Sequence, residues 1–292
     1  MTIQNEIKDA RVGYIVADLS TGNVIGQRNP NLQFHMASVI KLIILAAVLA
    51  EVDKGRLSLT EVIPVAELHD DADHTLFRRD TSTMKMSELL CIMASQNNSV
   101  IADYFLGRLG IDTIQNFCVR SGLTNTTINS SILGINLMAL GCRHNPRPRY
   151  WDELFEHVQT QPHNTPSDST LRSICQYNTS TPRDISNLIR QAIGGTLLSK
   201  SCQNFMISVL RKQVSAEYIP RYLSSVQRRN LGHSIGKVEI ANRLRLINDV
   251  GFYVSPKTSL SLVFLIDEIS APEAIQRWMA LKTQFAIGYS GV

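Results

Sequence analysis

Long apolar runs are the first thing missing. No stretch of about 18 uncharged apolar residues occurs in the chain, so no membrane-spanning helix is expected. Residues 1–10, Met1-Thr2-Ile3-Gln4-Asn5-Glu6-Ile7-Lys8-Asp9-Ala10, contain no apolar core of a secretory signal. The expectation is a cytoplasmic protein without a membrane partner. Cysteine is sparse: Cys91, Cys118, Cys142, Cys175 and Cys202 are an odd five with no Cys-x-x-Cys pair. That excludes a disulfide framework and a thiolate zinc site. Charge of one sign is also lacking. The net charge is +4, and the Lys and Arg residues are scattered, so no nucleic-acid partner is expected. The acidic and histidine cluster His69-Asp70-Asp71-Ala72-Asp73-His74 has no clean one-face spacing. It reads as a solvated loop, and neither metal nor cofactor is expected.

What is present is ordinary globular material, 44% hydrophobic and 18% charged. With 292 residues, one large domain or two interleaved ones fit. Residues 12–19 read as a strand, Thr21-Gly22-Asn23 as a turn, and Val24-Ile25 as the start of its hairpin partner. Residues 42–51 are apolar nearly all round and predict a buried helix stopped by Gly55. Residues 87–93 and 100–109 predict two more helices, the second closed by Gly110. Thr181-Pro182-Arg183-Asp184 has the form of a helix start, with Gly194-Gly195 as its end. Residues 202–211 make another helix. Residues 248–253 and 261–266 read as the last two strands, and residues 271–287 as a closing helix with Trp278 on its apolar face.

The chemistry centres on Met36-Ala37-Ser38-Val39-Ile40-Lys41-Leu42. Ser38 and Lys41 are three apart, and residues so spaced share one face of a helix. A serine hydroxyl is a poor nucleophile until a nearby base takes its proton. A buried lysine can be that base, because desolvation lowers its pKa. A serine at the first helical turn also feels the partial positive charge of the helix N-terminus.

Residues 11–49 resemble the start of the class A β-lactamases and related penicillin-recognising serine enzymes. Both have a strand, a Thr-Gly turn, a second strand and then a helix bearing Ser-x-x-Lys. The resemblance covers most of the chain, with residues 137–170 as an insertion. It implies an α+β fold: an α/β/α sandwich lobe around an antiparallel sheet of about five strands, joined to an all-helical lobe. Residues 1–55 and 230–292 would form the sheet lobe and 56–229 the helical lobe, in one folding unit. Within the insertion, Trp151, Leu154, Phe155 and Val158 fall at helical spacing. Arg143, Arg147 and Arg149 nearby are read as facing water.

Relatives carry a Ser-Asp-Asn triplet after the second helix. Two registers compete. Ser95-Gln96-Asn97 has Ser-x-Asn by eye, whereas an ungapped match through both flanking helices places Asn97-Asn98-Ser99 on the triplet. The second is favoured, because a two-residue shift would turn each helix by about 200°. Ser95, Asn97 and Ser99 are all candidates, and a helix cap is the plain structural reading of this stretch. The relatives' next motif holds the glutamate that activates water for deacylation. Ile132-Leu133-Gly134-Ile135-Asn136 occupies that place: Asn136 is kept, but Ile132 stands where the glutamate should be. No carboxylate occurs between Asp112 and Asp152. The third motif, Lys-Thr-Gly, is replaced by Ser234-Ile235-Gly236. Gly236 would allow close approach of a substrate. Ser234 replaces the lysine that helps bind a substrate carboxylate, and His233, Lys237, Arg243 or Arg245 could stand in for it.

The resemblance therefore implies a serine hydrolase or acyltransferase that forms an acyl-enzyme on Ser38, with Lys41 as base. A small-molecule ester or amide is the expected substrate, and efficient penicillin turnover is not expected. Two other readings stay open: a true class A β-lactamase, and a non-catalytic small-molecule-binding module on an altered enzyme fold.

Overall fold

A computed structural model describes residues 7, 9–68, 82–139, 173–240 and 243–289. Its centre is a five-stranded antiparallel sheet in the order β2-β1-β9-β8-β7. The strands are β1 (Arg11–Asp18), β2 (Val24–Arg28), β7 (Leu231–Ile240), β8 (Arg243–Val254) and β9 (Ser259–Asp267). β1 pairs with β9 along its whole length, from Arg11 opposite Asp267 to Asp18 opposite Leu260. The first strand thus joins the last ones, as the β-lactamase-like reading requires. An ion pair between Arg11 and Asp267 pins one end of this pairing.

Alternation along the strands divides the core in two, because successive side chains leave opposite faces. Val12, Val16, Ile247, Tyr253, Phe264 and Ile266 face the C-terminal helix α9 (Pro272–Tyr289). Its Trp278 is buried edge-on against Tyr14 and Phe264. Ile15, Ala17, Val250, Phe252, Val263 and Leu265 face the helices on the other side.

That second side is organised around α1 (Ile40–Asp53), whose residues from Ile40 through Glu51 are all buried. A helix without a polar face has nowhere to go but the middle of a lobe. It is surrounded by α2 (Met86–Ser95), α3 (Ser99–Leu109), α4 (Ile111–Arg120) and α7 (Lys200–Leu210). Residues 40–53 thus pack among helices on several sides, as an all-round apolar helix requires. Conversely, α6 (Pro182–Gly194) lies on β9 and β1 and so covers the sheet.

Most helix ends follow their sequence signals. Thr181 caps α6 by accepting from the Asp184 N–H, Pro182 is the first helical residue, and Gly195 closes it in the left-handed conformation. Helix α4 is an addition to the expected set, with Ile114, Phe117 and Cys118 as its buried stripe. Four pieces of strand too short to show a period join in two pairs: β3 (Phe34–His35) with β6 (Thr179–Ser180), and β4 (Val62–Pro64) with β5 (Thr83–Lys85). The loop expected around His69–His74 and the helix expected over residues 151–158 lie outside the described residues, as do Arg143, Arg147 and Arg149. No described helix is long and apolar enough to cross a membrane, and no described group of His, Cys, Asp or Glu could hold a metal ion.

Candidate active site

The turn that carries Ser38 is held from the sheet side. Asn248 of β8, fully buried, donates to the carbonyls of His35 and Met36 at 2.9 and 3.0 Å. The Met36 N–H donates to the Asn178 carbonyl at 3.0 Å. Ala37 follows at φ 47°, in the left-handed region. A residue with a β-carbon pays about 1–2 kcal/mol there, so the surrounding bonds must impose the conformation. Ser38 then lies in a single 3-10 turn, Ala37–Val39, that runs into α1 (Ile40–Asp53). The α-helix itself starts two residues after Ser38, not at it. The three-residue spacing keeps its meaning all the same, since positions three apart stack on a 3-10 turn.

β7 passes directly beside this turn. A β-carbon added to Gly236 would stand 2.8 Å from the Met36 carbonyl oxygen and 3.1 Å from the Ser38 nitrogen. Only glycine lets the strand approach so closely.

Lys41 is the hub of the site. Its side chain is buried, and Nζ lies 2.9 Å from Ser38 Oγ, 2.8 Å from the Asn97 main-chain oxygen, 2.9 Å from Asn97 Oδ1 and 3.0 Å from Ser99 Oγ, all within hydrogen-bond distance. Burial pushes its pKa down to about 7, against an upward pull from Asp103. An amine so placed is neutral in a large fraction of molecules near pH 7 and can take the Ser38 proton.

Of the two registers, the geometry brings Asn97 and Ser99 to Lys41. Ser95 is the last residue of α2 (Met86–Ser95), and its side chain is not among the partners of Lys41. The helix cap is a separate residue: Asn98 Oδ1 accepts from the Ile101 N–H at 2.8 Å and starts α3 (Ser99–Leu109). Asn97 sits just before it at φ 60°, a conformation for which asparagine is several-fold enriched.

Ile132 begins α5 (Ile132–Ala139) and is half-buried. Its N–H and that of Leu133 both donate to the Asp103 carboxylate, at 2.8 and 2.7 Å. Asp103 is completely buried. One carboxylate thus fixes the start of α5 and acts electrostatically on Lys41. Asn136 lies one turn further on, on the face of Ile132.

The residues around the third motif divide by strand parity. Gly236 faces the Ser38 turn, so Ser234, two residues away and buried, belongs to that face. His233, Ile235 and Lys237 leave the opposite face. His233 is buried there, its Nδ1 bonded to Asp249 Oδ1 at 2.8 Å, while Asp249 Oδ2 accepts from the Ile219 N–H. The geometry therefore takes His233 out of the cleft, and Lys237 shares its face. The side chains of Arg243 and Arg245 lie outside the described residues.

Three residues of this framework were not singled out from the sequence: Asn178, Asn248 and Asp103. Two had a signal. Asp103 interrupts the apolar stretch Val100 to Leu106, and Asn248 with Asp249 interrupts the apolar run of a strand between Ile247 and Val250. Polar residues in an otherwise buried element need partners.

Known proteins with this architecture point the same way. The family model described as the Beta-lactamase enzyme family matches residues 1–280. A β-lactamase of Rhodobacter capsulatus is 33% identical over 106 residues, 35% of this chain and 34% of that protein, so the match spans about a third of that relative. The crystal structure of a β-lactamase from Chitinophaga pinensis DSM 2588 superposes with a TM-score of 0.76 at 20% identity, covering 98% of this chain and 97% of the other. The structure of PBP-A superposes with a TM-score of 0.69 at 20% identity, covering 97% and 93%. At these identities the two superpositions speak to the fold, whereas the family model spans nearly the whole sequence: the chain belongs to the β-lactamase enzyme family.

Proposed function

We propose that the protein is a serine hydrolase or acyltransferase that forms an acyl-enzyme on Ser38 with a small ester or amide, and is not an efficient penicillinase. The observation that carries this reading is the contact between a buried Lys41 amine and the Ser38 hydroxyl at 2.9 Å, with the lysine pKa pushed down to about 7. A general base works best when its pKa lies near the working pH. Ser38 Oγ attacks the substrate carbonyl carbon while Lys41 takes the hydroxyl proton. The bond to the leaving group then breaks, and the leaving group gains a proton. The Ser38 N–H, beside β7, is one donor to the oxyanion.

Two substitutions support the second half of the proposal. Ile132 cannot accept a proton, so the position that would activate a deacylating water holds an apolar side chain. If the natural acceptor is an amine or alcohol, that apolar group is useful, because it keeps water from the acyl-enzyme. Ser234, on the face of the Ser38 turn, offers no positive charge to a substrate carboxylate. Family membership favours a second reading, a true β-lactamase.

Incubation with a fluorescent penicillin and with an activated ester, read by intact mass, tests both. The expected result is one adduct on Ser38, abolished by Ser38→Ala, with the penicillin adduct persisting for minutes or longer. Rapid multiple turnover of the penicillin without a burst would favour the β-lactamase. No adduct with any probe, in folded protein, would favour a binding module.

A further inference from the structure

A cavity outside the cleft brings two cations together with no acid to answer them. It opens between α6 (Pro182–Gly194) and α7 (Lys200–Leu210), at the end of the sheet where β1 and β8 finish and β9 begins. Its volume is about 540 Å³, within the range of small-molecule sites. Val254 on its wall lies six positions beyond Asn248 in β8, about 20 Å along the strand, so this is not the cleft of Ser38. Leu19, Ile193, Ile207 and Val254 supply an apolar floor. Arg190 and Lys200 line the same space, and among the described residues no Asp or Glu does. The Arg190 guanidinium lies against the β1–β2 turn: a β-carbon added to Gly22 would stand 3.1 Å from its Nη1. Lys200 Nζ donates to the amide oxygen of buried Gln203 at 2.9 Å, and Gln203 Nε2 donates to the Ile193 carbonyl. A guanidinium offers five N–H bonds and an ammonium three. Only one of these has a partner among the described residues, and that partner is neutral. The neighbouring carboxylates are already engaged: Asp18 accepts from Ser20 and Thr21, and Asp53 accepts from Ser199.

We propose that this cavity binds an organic anion, with a carboxylate or phosphate head held by Arg190 and Lys200 and a short apolar body on the floor between the two helices. Like charges lining one cavity repel, and an anion between them turns that repulsion into attraction. The planar fork of a guanidinium matches the paired oxygens of a carboxylate or phosphate. The apolar floor leaves a bare inorganic ion with half the site unused, and the cations leave a neutral hydrocarbon with the other half unused. Among the described residues no His, Cys, Asp or Glu lines the cavity to activate a hydroxyl, so it binds and does not react. The site stands apart from the acyl-enzyme reading and does not depend on it.

The test is calorimetric titration of the full chain with octyl phosphate and octanoate, against ethyl phosphate and octanol. Both octyl anions should bind with a Kd below about 1 mM. Ethyl phosphate keeps the charge and loses most of the chain, and octanol keeps the chain and loses the charge. Each should bind at least about tenfold more weakly than octyl phosphate. Arg190→Gln and Lys200→Gln should each weaken octyl phosphate by about tenfold. Neither residue makes an ion pair among the described residues, so both variants should stay folded. Ser38→Ala should bind octyl phosphate as wild type does. Octanol binding as tightly as the octyl anions would overturn the role of the two cations, and ethyl phosphate binding as tightly as octyl phosphate would overturn that of the apolar floor. Unchanged affinity in the Arg190→Gln, Lys200→Gln double variant would put the ligand elsewhere, and lost affinity in Ser38→Ala would put it in the cleft; either overturns the site. No binding of either octyl anion to wild type at concentrations up to about 5 mM would overturn the proposal outright.

Discussion

Two parts of the site differ in kind. Around Lys41 four oxygens from three residues lie within 3.0 Å of Nζ. At the start of α5 (Ile132–Ala139), the corresponding position offers a half-buried isoleucine and two backbone N–H groups already taken by Asp103. The first region gathers polar groups around one amine, and the second uses its polar groups to hold a helix in place. On the proposed function, the difference teaches that forming an acyl-enzyme and breaking it down are separable.

The comparison is broken most severely at Lys41. Lys41→Ala should slow acylation of Ser38 by about 100-fold or more, read as the rate of adduct formation by intact mass. A loss under about threefold would mean that another group takes the proton. Gly236→Ala should come next. Its β-carbon would crowd the Met36 carbonyl and the Ser38 N–H, so labelling should fall by about tenfold while the thermal midpoint moves by only a few degrees. Unchanged labelling would show that the strand can back away from the turn.

The pH dependence sharpens the contrast. On the proposed function Lys41 works as the neutral amine, so wild-type acylation should fall as pH drops through about 7. The same shift has a stability consequence of fixed sign. In an unfolded chain the amine titrates near 10.5, and in the folded protein near 7. Between these values the unfolded state binds a proton the folded state does not, so this group's penalty is complete below 7 and disappears above 10.5. The stability difference between Lys41→Met and wild type, measured by denaturant unfolding, should therefore shift in favour of wild type as pH rises from 7 to 10. A difference independent of pH would sink the depressed pKa.

Asp103→Asn tests the link between the two regions. It keeps one acceptor for α5 but removes the charge that pulls the lysine pKa up. The acid limb of acylation should move to lower pH, at a stability cost of about 1–3 kcal/mol for the backbone N–H left without an acceptor. An upward move of the limb would contradict the sign of the coupling. The smallest effect is expected for Ile132→Glu. A carboxylate there gives water a base, but the backbone at 132 is fixed by Asp103, so the breakdown of the Ser38 adduct should quicken by about tenfold at most. No change in adduct lifetime would mean that the new carboxylate does not reach the acyl group.

Much of the fold was legible in the sequence, because it rests on strong periodic signals. The run Ile40 to Leu49 could only be a buried helix, and Thr181-Pro182 with Gly195 fixed both ends of another. Helix α4 (Ile111–Arg120) was passed over although Ile114, Phe117 and Cys118 have helical spacing. Which neighbours bury α1 (Ile40–Asp53) was not legible, because periodicity says which face is buried, not what buries it. In the site, Ser38 and Lys41 were legible because their chemistry depends on local spacing. The choice between Ser95 and Ser99 depends on where α2 (Met86–Ser95) ends and how the chain turns through Asn97, which one sequence does not fix. His233 was a reasonable stand-in cation by composition. Strand parity, set by pairing with β8, takes it to the other face.

The pairing of β1 with β9 has a consequence for how the chain is made. Arg11 and Asp267 lie side by side yet are separated by 256 positions. The contacts joining them are among the most non-local the sequence allows, and their loop-closure entropy must be met before they stabilise anything. During synthesis the first strand leaves the ribosome with β2 as its only partner, and it keeps one open edge until β9 has emerged. At about 5–20 residues per second that wait lasts many seconds. Throughout it the nucleophile turn, tied to β8 through Asn248, stays unassembled, so a ribosome-bound chain truncated before β8 should carry Ser38 and Lys41 yet take up no acylating probe.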